Sequence, residues 1–132
     1  MRVVLDTNVL ISATQWQGSV AQKLLFKLIR DNIKIFCSTD IISEYQRVLK
    51  RDFNYTDYEI AYILEKIFAC ITLITPIEKI NVIRDDPDDN KIVECALAAS
   101  ADYIITYDKH LLNIKEFEGV KIITPNEALR IL

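Results

Sequence analysis

The sequence predicts an α/β fold, a doubly wound (Rossmann-like) parallel sheet with helices on both faces. Three observations predict it. Short runs rich in Val and Ile alternate with longer amphipathic stretches, the pattern of strand–helix units joined by right-handed crossovers. Helix starts carry capping residues, although only two Gly and three Pro punctuate the chain. Its 132 residues, 51% hydrophobic and 27% charged, fit one globular domain spanning residues 1–132, large enough to bury a core without disulfides or a structural metal.

Each element follows in order. Arg2 to Leu5 is an apolar run that reads as a strand, ending in the polar triplet Asp6-Thr7-Asn8. Ser19-Val-Ala-Gln22 is a capping box opening an amphipathic helix to about Arg30. Ile33 to Cys37 is a second strand, and Ser38-Thr39-Asp40 caps a helix in which Ile41, Tyr45, Val48 and Leu49 recur at helical spacing. A second capping box, Thr56-Asp-Tyr-Glu59, opens a helix with Ile60, Ile63, Leu64, Ile67 and Phe68 as its apolar stripe. Ile71 to Thr75 is a strand stopped by Pro76, and Ile80 to Ile83 reads as a short one before the acidic run Asp85-Asp86-Pro87-Asp88-Asp89. Because Pro87 disfavours helical backbone at the residue before it, the next helix is expected from about Asn90 to Ser100, with Ile92, Val93, Ala96, Leu97 and Ala99 inward. Tyr103 to Thr106 and Lys121 to Ile123 complete the strands, and Thr124-Pro-Asn-Glu127 caps a final helix.

Charge and composition exclude several classes. Sixteen Lys plus Arg against nineteen Asp plus Glu give a net charge of −3, so no global basic field points to duplex binding. Apolar runs are too short for the roughly 20 residues of a membrane-spanning helix, and Met1-Arg2 runs directly into a strand. A cytoplasmic protein without a signal peptide is expected. Cys37, Cys70 and Cys95 are odd in number and widely spaced, which suits small buried side chains rather than a disulfide framework or a zinc site.

In doubly wound sheets the site lies outside the carboxyl ends of the strands. Four elements bring acids there: Asp6 after the first strand, Glu44 in the first turns of the helix after the second, Asp89 at a helix start, and Asp108 after the strand from Tyr103. Taken singly, each reads as a helix cap or turn former. Together they repel: two carboxylates about 5 Å apart cost roughly 0.8 kcal/mol in water and about 3 at an effective dielectric near 20. A divalent cation relieves this. All-oxygen donors favour Mg²⁺ or Mn²⁺ over zinc, and such ions support phosphodiester displacement without a side-chain base. Asp85, Asp86 and Asp88 compete with Asp89 for the third position. Spacing favours Asp89, which falls at the cap or first turn while Ile92 and Val93 pack inward.

Asn8 and Thr106 stand beside Asp6 and Asp108, where they can orient carboxylates or serve as ordinary turn polarity. Lys91, Lys109 and His110 flank the acids and can hold phosphates. Arg47, Lys50 and Arg51 form a second basic group that also reads as a solvated helix end. Tyr103 and Tyr107 near the rim can stack a base or pack on the sheet. Two other acidic α/β classes fit poorly. An aspartyl-phosphate phosphatase would show D-x-D where position 8 is Asn, and a receiver domain would show an acid pair after the first strand where Asp6 stands alone.

The string Val3-Val-Leu-Asp6-Thr-Asn8-Val-Leu, then Glu44, then Asp89-Asn-Lys-Ile-Val, then Ile104-Ile-Thr106-Tyr-Asp108 resembles the PIN-domain ribonucleases, the superfamily that includes VapC-type toxins. The similarity covers nearly the whole chain and is greatest to the toxin–antitoxin toxin-component branch, in which a D-P-D-D-x-K segment precedes the helix of the third acid. The resemblance implies a PIN-like domain and a Mg²⁺- or Mn²⁺-dependent endoribonuclease. Its ligands would match Asp6, Glu44, Asp89 and Asp108, with Asn8 and Thr106 in support. It also implies a homodimer and, for toxin members, a small antitoxin partner. The crowding of acids at Asp85 to Asp88 departs from the pattern and leaves the third ligand open. Two alternatives share the fold: a non-catalytic RNA-binding or protein-interaction module, and an RNA-processing nuclease with no antitoxin.

Overall fold

The protein is described here by a computed structural model covering residues 1–77, 79 and 90–132. Its elements are β1 (Arg2–Leu5), α1 (Thr7–Gln15), α2 (Val20–Arg30), β2 (Lys34–Ser38), α3 (Thr39–Phe53), α4 (Asp57–Phe68), β3 (Ile71–Ile74), α5 (Asn90–Ala98), β4 (Tyr103–Ile105), α6 (Lys109–Leu112), β5 (Glu116–Phe117), β6 (Val120–Ile123) and α7 (Pro125–Ile131). The strand expected over 80–83, the residue Pro87 and the acids Asp85, Asp86, Asp88 and Asp89 lie outside the described residues.

Six strands form one sheet in the order β3-β2-β1-β4-β6-β5. The chain moves outward from β1 to β3, then returns across β1 to β4. Right-handed crossovers therefore place α2 and α5 on opposite faces. The packing agrees: α2 lies against α1 and α7, whereas α5 lies on β1, β2 and β4. The doubly wound expectation holds for five strands, all paired in parallel. β5 is the exception, antiparallel to β6. The two residues between them, Glu118 and Gly119, both have positive φ (48° and 85°), the requirement of a tight turn whose twist matches the strands.

Local chemistry explains most boundaries. Strand interiors such as Val3, Val4, Ile104 and Ile105 are fully buried, as expected of a sheet covered on both faces. Ser38 caps α3 through a bond from the Ile41 N–H, and both Thr56 with Glu59 and Thr124 with Glu127 form complete capping boxes. The Ser19 box is only half as expected. Ser19 accepts from the Gln22 N–H at 3.1 Å, but the Gln22 side chain reaches the N–H of Gly18 at 2.8 Å instead of that of Ser19. The Ser19 hydroxyl is then turned back to the Ser12 carbonyl at 2.9 Å, tying α2 to α1.

The helix α1 was not expected from the sequence, which reads as strand followed by polar triplet. Asp6 caps it, and Val9, Leu10, Ile11 and Ala13 are buried along it. On α4, Ile60 and Ile67 are buried while Phe68, expected inward, is exposed; on α5, Cys95 is buried and Leu97 only half-buried. Cys37 and Cys95 are fully buried free thiols pushed up to about 12 by burial, so they are inert apolar filling. Among the described residues no helix is long and apolar enough to cross a membrane.

Candidate functional site

The sheet order reverses at β1, which pairs with β2 on one side and β4 on the other. Side chains just past β1 and β4 therefore meet at the crevice where doubly wound folds place their sites. Two backbone bonds fix the register there: the Asp6 N–H donates to the Ile105 carbonyl and the Thr106 N–H to that of Ile123, both at 3.0 Å.

Thr106 is the hub. Fully buried, its hydroxyl donates to Asp6 Oδ2 at 2.6 Å and accepts from the Asp108 N–H at 2.9 Å. The other Asp6 oxygen accepts from the Thr7 N–H at 2.7 Å, and the Thr7 hydroxyl donates to Glu44 Oε2 at 3.1 Å. Three of the four expected acids, Asp6, Glu44 and Asp108, are thus joined through two threonines. Their settings differ: Asp6 is buried, Asp108 half-buried and Glu44 exposed. The fourth, Asp89, lies outside the described residues.

The electrostatics follow from this geometry. Burial pushes the Asp6 carboxyl from 3.8 up to about 6; the bonds from Thr106 and Thr7 pull it down, and the charges of Glu44 and Asp108 push it up again. As the cap of α1, Asp6 also sits where a helix N-terminus favours negative charge. Burial and like charge together outweigh that.

The residues expected to support the acids sit as follows. Asn8 Oδ1 accepts from the Tyr107 N–H at 3.5 Å, linking the start of α1 to the segment after β4. Asp108 caps α6 by accepting from the His110 N–H at 2.8 Å. Lys109 and His110 are therefore exposed immediately beside the acids, while Lys91 is exposed on the first turn of α5. Tyr107 is exposed at the rim and Tyr103 half-buried in β4. The second basic group is largely engaged elsewhere: Lys50 pairs with Asp57 at 3.1 Å and Arg51 with Asp52 at 2.8 Å. Arg47 and Lys50, with Asp57, line a cleft of about 490 Å³ between α3 and α4 whose lining does not include Asp6, Glu44 or Asp108.

Two further features were not read from the sequence. Thr7 stood only as part of a polar triplet, and its double role depends on α1, which the triplet conceals. Asn90 and Glu94 are buried polar residues one turn apart on α5, with Glu94 3.9 Å from Lys79. Helical spacing was the available signal for that pair.

The donor chemistry suits a hard dication. Asp6 is buried against two like charges, and each of its oxygens, after accepting one hydrogen bond, keeps lone-pair capacity for a cation. Among the described residues, however, no three His, Cys, Asp or Glu side chains converge into a metal cage.

Comparison with known proteins gives the family and the fold. The PIN domain family model matches residues 2–110. The uncharacterized protein MJ1680 of Methanocaldococcus jannaschii is 32% identical over 120 residues, 88% of this chain and 76% of that protein. Among solved structures, VapBC2 from Rickettsia felis bound to a DNA fragment from their promoter has a TM-score of 0.68 at 16% identity, covering 94% of this chain and 98% of that one. VapBC-1 from nontypeable Haemophilus influenzae has a TM-score of 0.67 at 19% identity, covering 96% and 99%. FitAcB from Neisseria gonorrhoeae has a TM-score of 0.59 at 16% identity, covering 93% and 97%. At those identities the structural likeness carries the fold alone, whereas the family match spans most of the sequence. The chain belongs to the PIN domain family.

Proposed function

We propose that this protein is a cytoplasmic Mg²⁺- or Mn²⁺-dependent endoribonuclease that hydrolyses RNA phosphodiester bonds, and that it is the toxin component of a toxin–antitoxin pair. The observation that carries the reading is the Thr106 hydroxyl placed between Asp6 and the backbone of Asp108, with Glu44 held to the same group by Thr7. Asp6, Glu44 and Asp108, together with Asp89, would hold the ion. When bound, it supplies charge neutralisation and Lewis-acid polarisation at the phosphate. Thr106 and Asn8 keep the carboxylates in register. Lys91, Lys109 and His110 offer donors to flanking phosphates, which matters because the chain is net negative and its rim acidic.

Neighbours of the fold bear the paired names VapBC and FitAB, which supports a small antitoxin as partner. A homodimer is proposed alongside it. One second reading stands beside it, a non-catalytic RNA-binding or protein-interaction module. Cleavage assays separate the two. Wild-type protein should cut RNA only with added Mg²⁺ or Mn²⁺, and Asp6→Asn should reduce cleavage by at least about a hundredfold. Undiminished cutting by that variant, or full activity of metal-free protein in excess chelator, would reject the nuclease mechanism.

A further inference from the structure

We infer that Thr7 is the positioning residue that brings Glu44 to Asp6, one residue holding both carboxylates through two different groups. This rests on the nuclease reading and adds a residue to it. Its backbone N–H holds Asp6 Oδ1 at 2.7 Å and its hydroxyl holds Glu44 Oε2 at 3.1 Å. Thr7 is itself buried, at 3% exposure, and so is Asp6 at 6%.

The need for such a device follows from where Glu44 sits. It is exposed on α3, free to turn its charge toward water, and the negative charge of Asp6 acts on it in that direction. Arg51, two turns further along α3, attracts Glu44 as well. A fixed neutral donor between the acids opposes both tendencies without cancelling their charge. An ammonium or guanidinium there would neutralise the pair and compete with a cation; a hydroxyl leaves both negative charges in place. Because α1 begins at Thr7, the first turn of that helix sets the hydroxyl's position, and the Asp6 cap sets the helix. Asp6 and Thr7 are consecutive, so the hydroxyl that Glu44 meets is fixed close to the Asp6 carboxylate by a single stretch of backbone.

The test is direct Mn²⁺ binding by titration calorimetry on metal-free full-length protein without RNA, paired with the Mn²⁺ concentration giving half-maximal RNA cleavage. Thr7→Val, which keeps the shape and the backbone N–H but loses the hydroxyl, should weaken Mn²⁺ binding about 10- to 100-fold and raise the Mn²⁺ requirement in parallel. It should leave KM for RNA at saturating Mn²⁺ unchanged. Thr7→Ser should behave like wild type. In a Glu44→Gln background, Thr7→Val should have no further effect, because the hydroxyl then has no charged partner to place. Thr7→Ala serves the same comparison should the valine disturb packing. Wild-type Mn²⁺ affinity in Thr7→Val and Thr7→Ala overturns the positioning role while leaving the nuclease reading standing. Equal losses with and without Glu44→Gln overturn it as well, since Thr7 would then act independently of Glu44. No Mn²⁺ binding by the wild type would overturn both.

Discussion

Asp6 and Asp31 carry the same side chain in opposite settings. Asp31 ends α2 in solvent, where hydrogen bonds from Arg30 and then Lys27 hold its carboxyl below the usual range. Asp52 beside Arg51 is held the same way. Asp6, at the crevice between β1 and β4, is pushed up to about 6 by burial, and the charges acting on it are both negative. Asp31 and Asp52 on the outer helices are matched with bases, whereas the bonds that hold Asp6 and Glu44 at the sheet's switch point come from hydroxyl and amide donors. Burying the Asp6 carboxylate against like charge costs stability. The difference locates the part of the molecule shaped by something other than stability.

The largest effect that sharpens this contrast is a pH dependence. In metal-free protein Asp6 keeps its proton up to about pH 6 when folded but only to about 3.8 when unfolded. Between those values the folded state binds more protons, so stability falls as pH rises and the loss is complete above the folded value. At 1.36 kcal/mol per unit the span is about 3 kcal/mol. Asp6→Asn removes that slope. Its metal-free Tm should equal or exceed that of wild type at pH 7.5, with the advantage shrinking toward pH 4 in calorimetry. A large drop at pH 7.5 would mean that Asp6 serves chiefly as a helix cap.

Next in size is Thr106→Val. It leaves the half-buried Asp108 N–H without its acceptor and the buried Asp6 Oδ2 without its donor. Chemical denaturation should show a loss of about 1–3 kcal/mol. A neutral result would remove Thr106 as the hub. The smallest effect belongs to the opposite region: Asp31→Asn breaks two exposed ion pairs and should shift neither the melting midpoint nor RNA cleavage measurably.

Much of the fold was legible because its signals are local. The Thr56–Glu59 and Thr124–Glu127 boxes and the Ser38 cap depend on residues within one turn, and each appears where the sequence indicates. α1 was not legible. Thr7, Val9, Ile11 and Thr14 are β-branched, a class with reduced helix preference, and the Asp-Thr-Asn opening reads as a turn. Burial of Val9, Leu10, Ile11 and Ala13 against the rest of the molecule overrides that preference. The β5–β6 hairpin was missed because its two-residue strand has no periodicity; Glu118-Gly119 was its one local sign. For the candidate site, Asp6, Glu44, Asp108, Asn8 and Thr106 can be assigned from the sequence to their elements, and a doubly wound topology brings the ends of such strands together. The Thr7 bridge could not be read until α1 existed to place it.

The most direct measurement is an anomalous difference map from crystals of the protein grown with Mn²⁺. The account predicts a peak contacted by Asp6, Glu44 and Asp108 at oxygen–metal distances of about 2.0–2.2 Å, with Thr106 still bonded to Asp6. Manganese bound only elsewhere, with these three carboxylates still resting on Thr7 and Thr106, would contradict it.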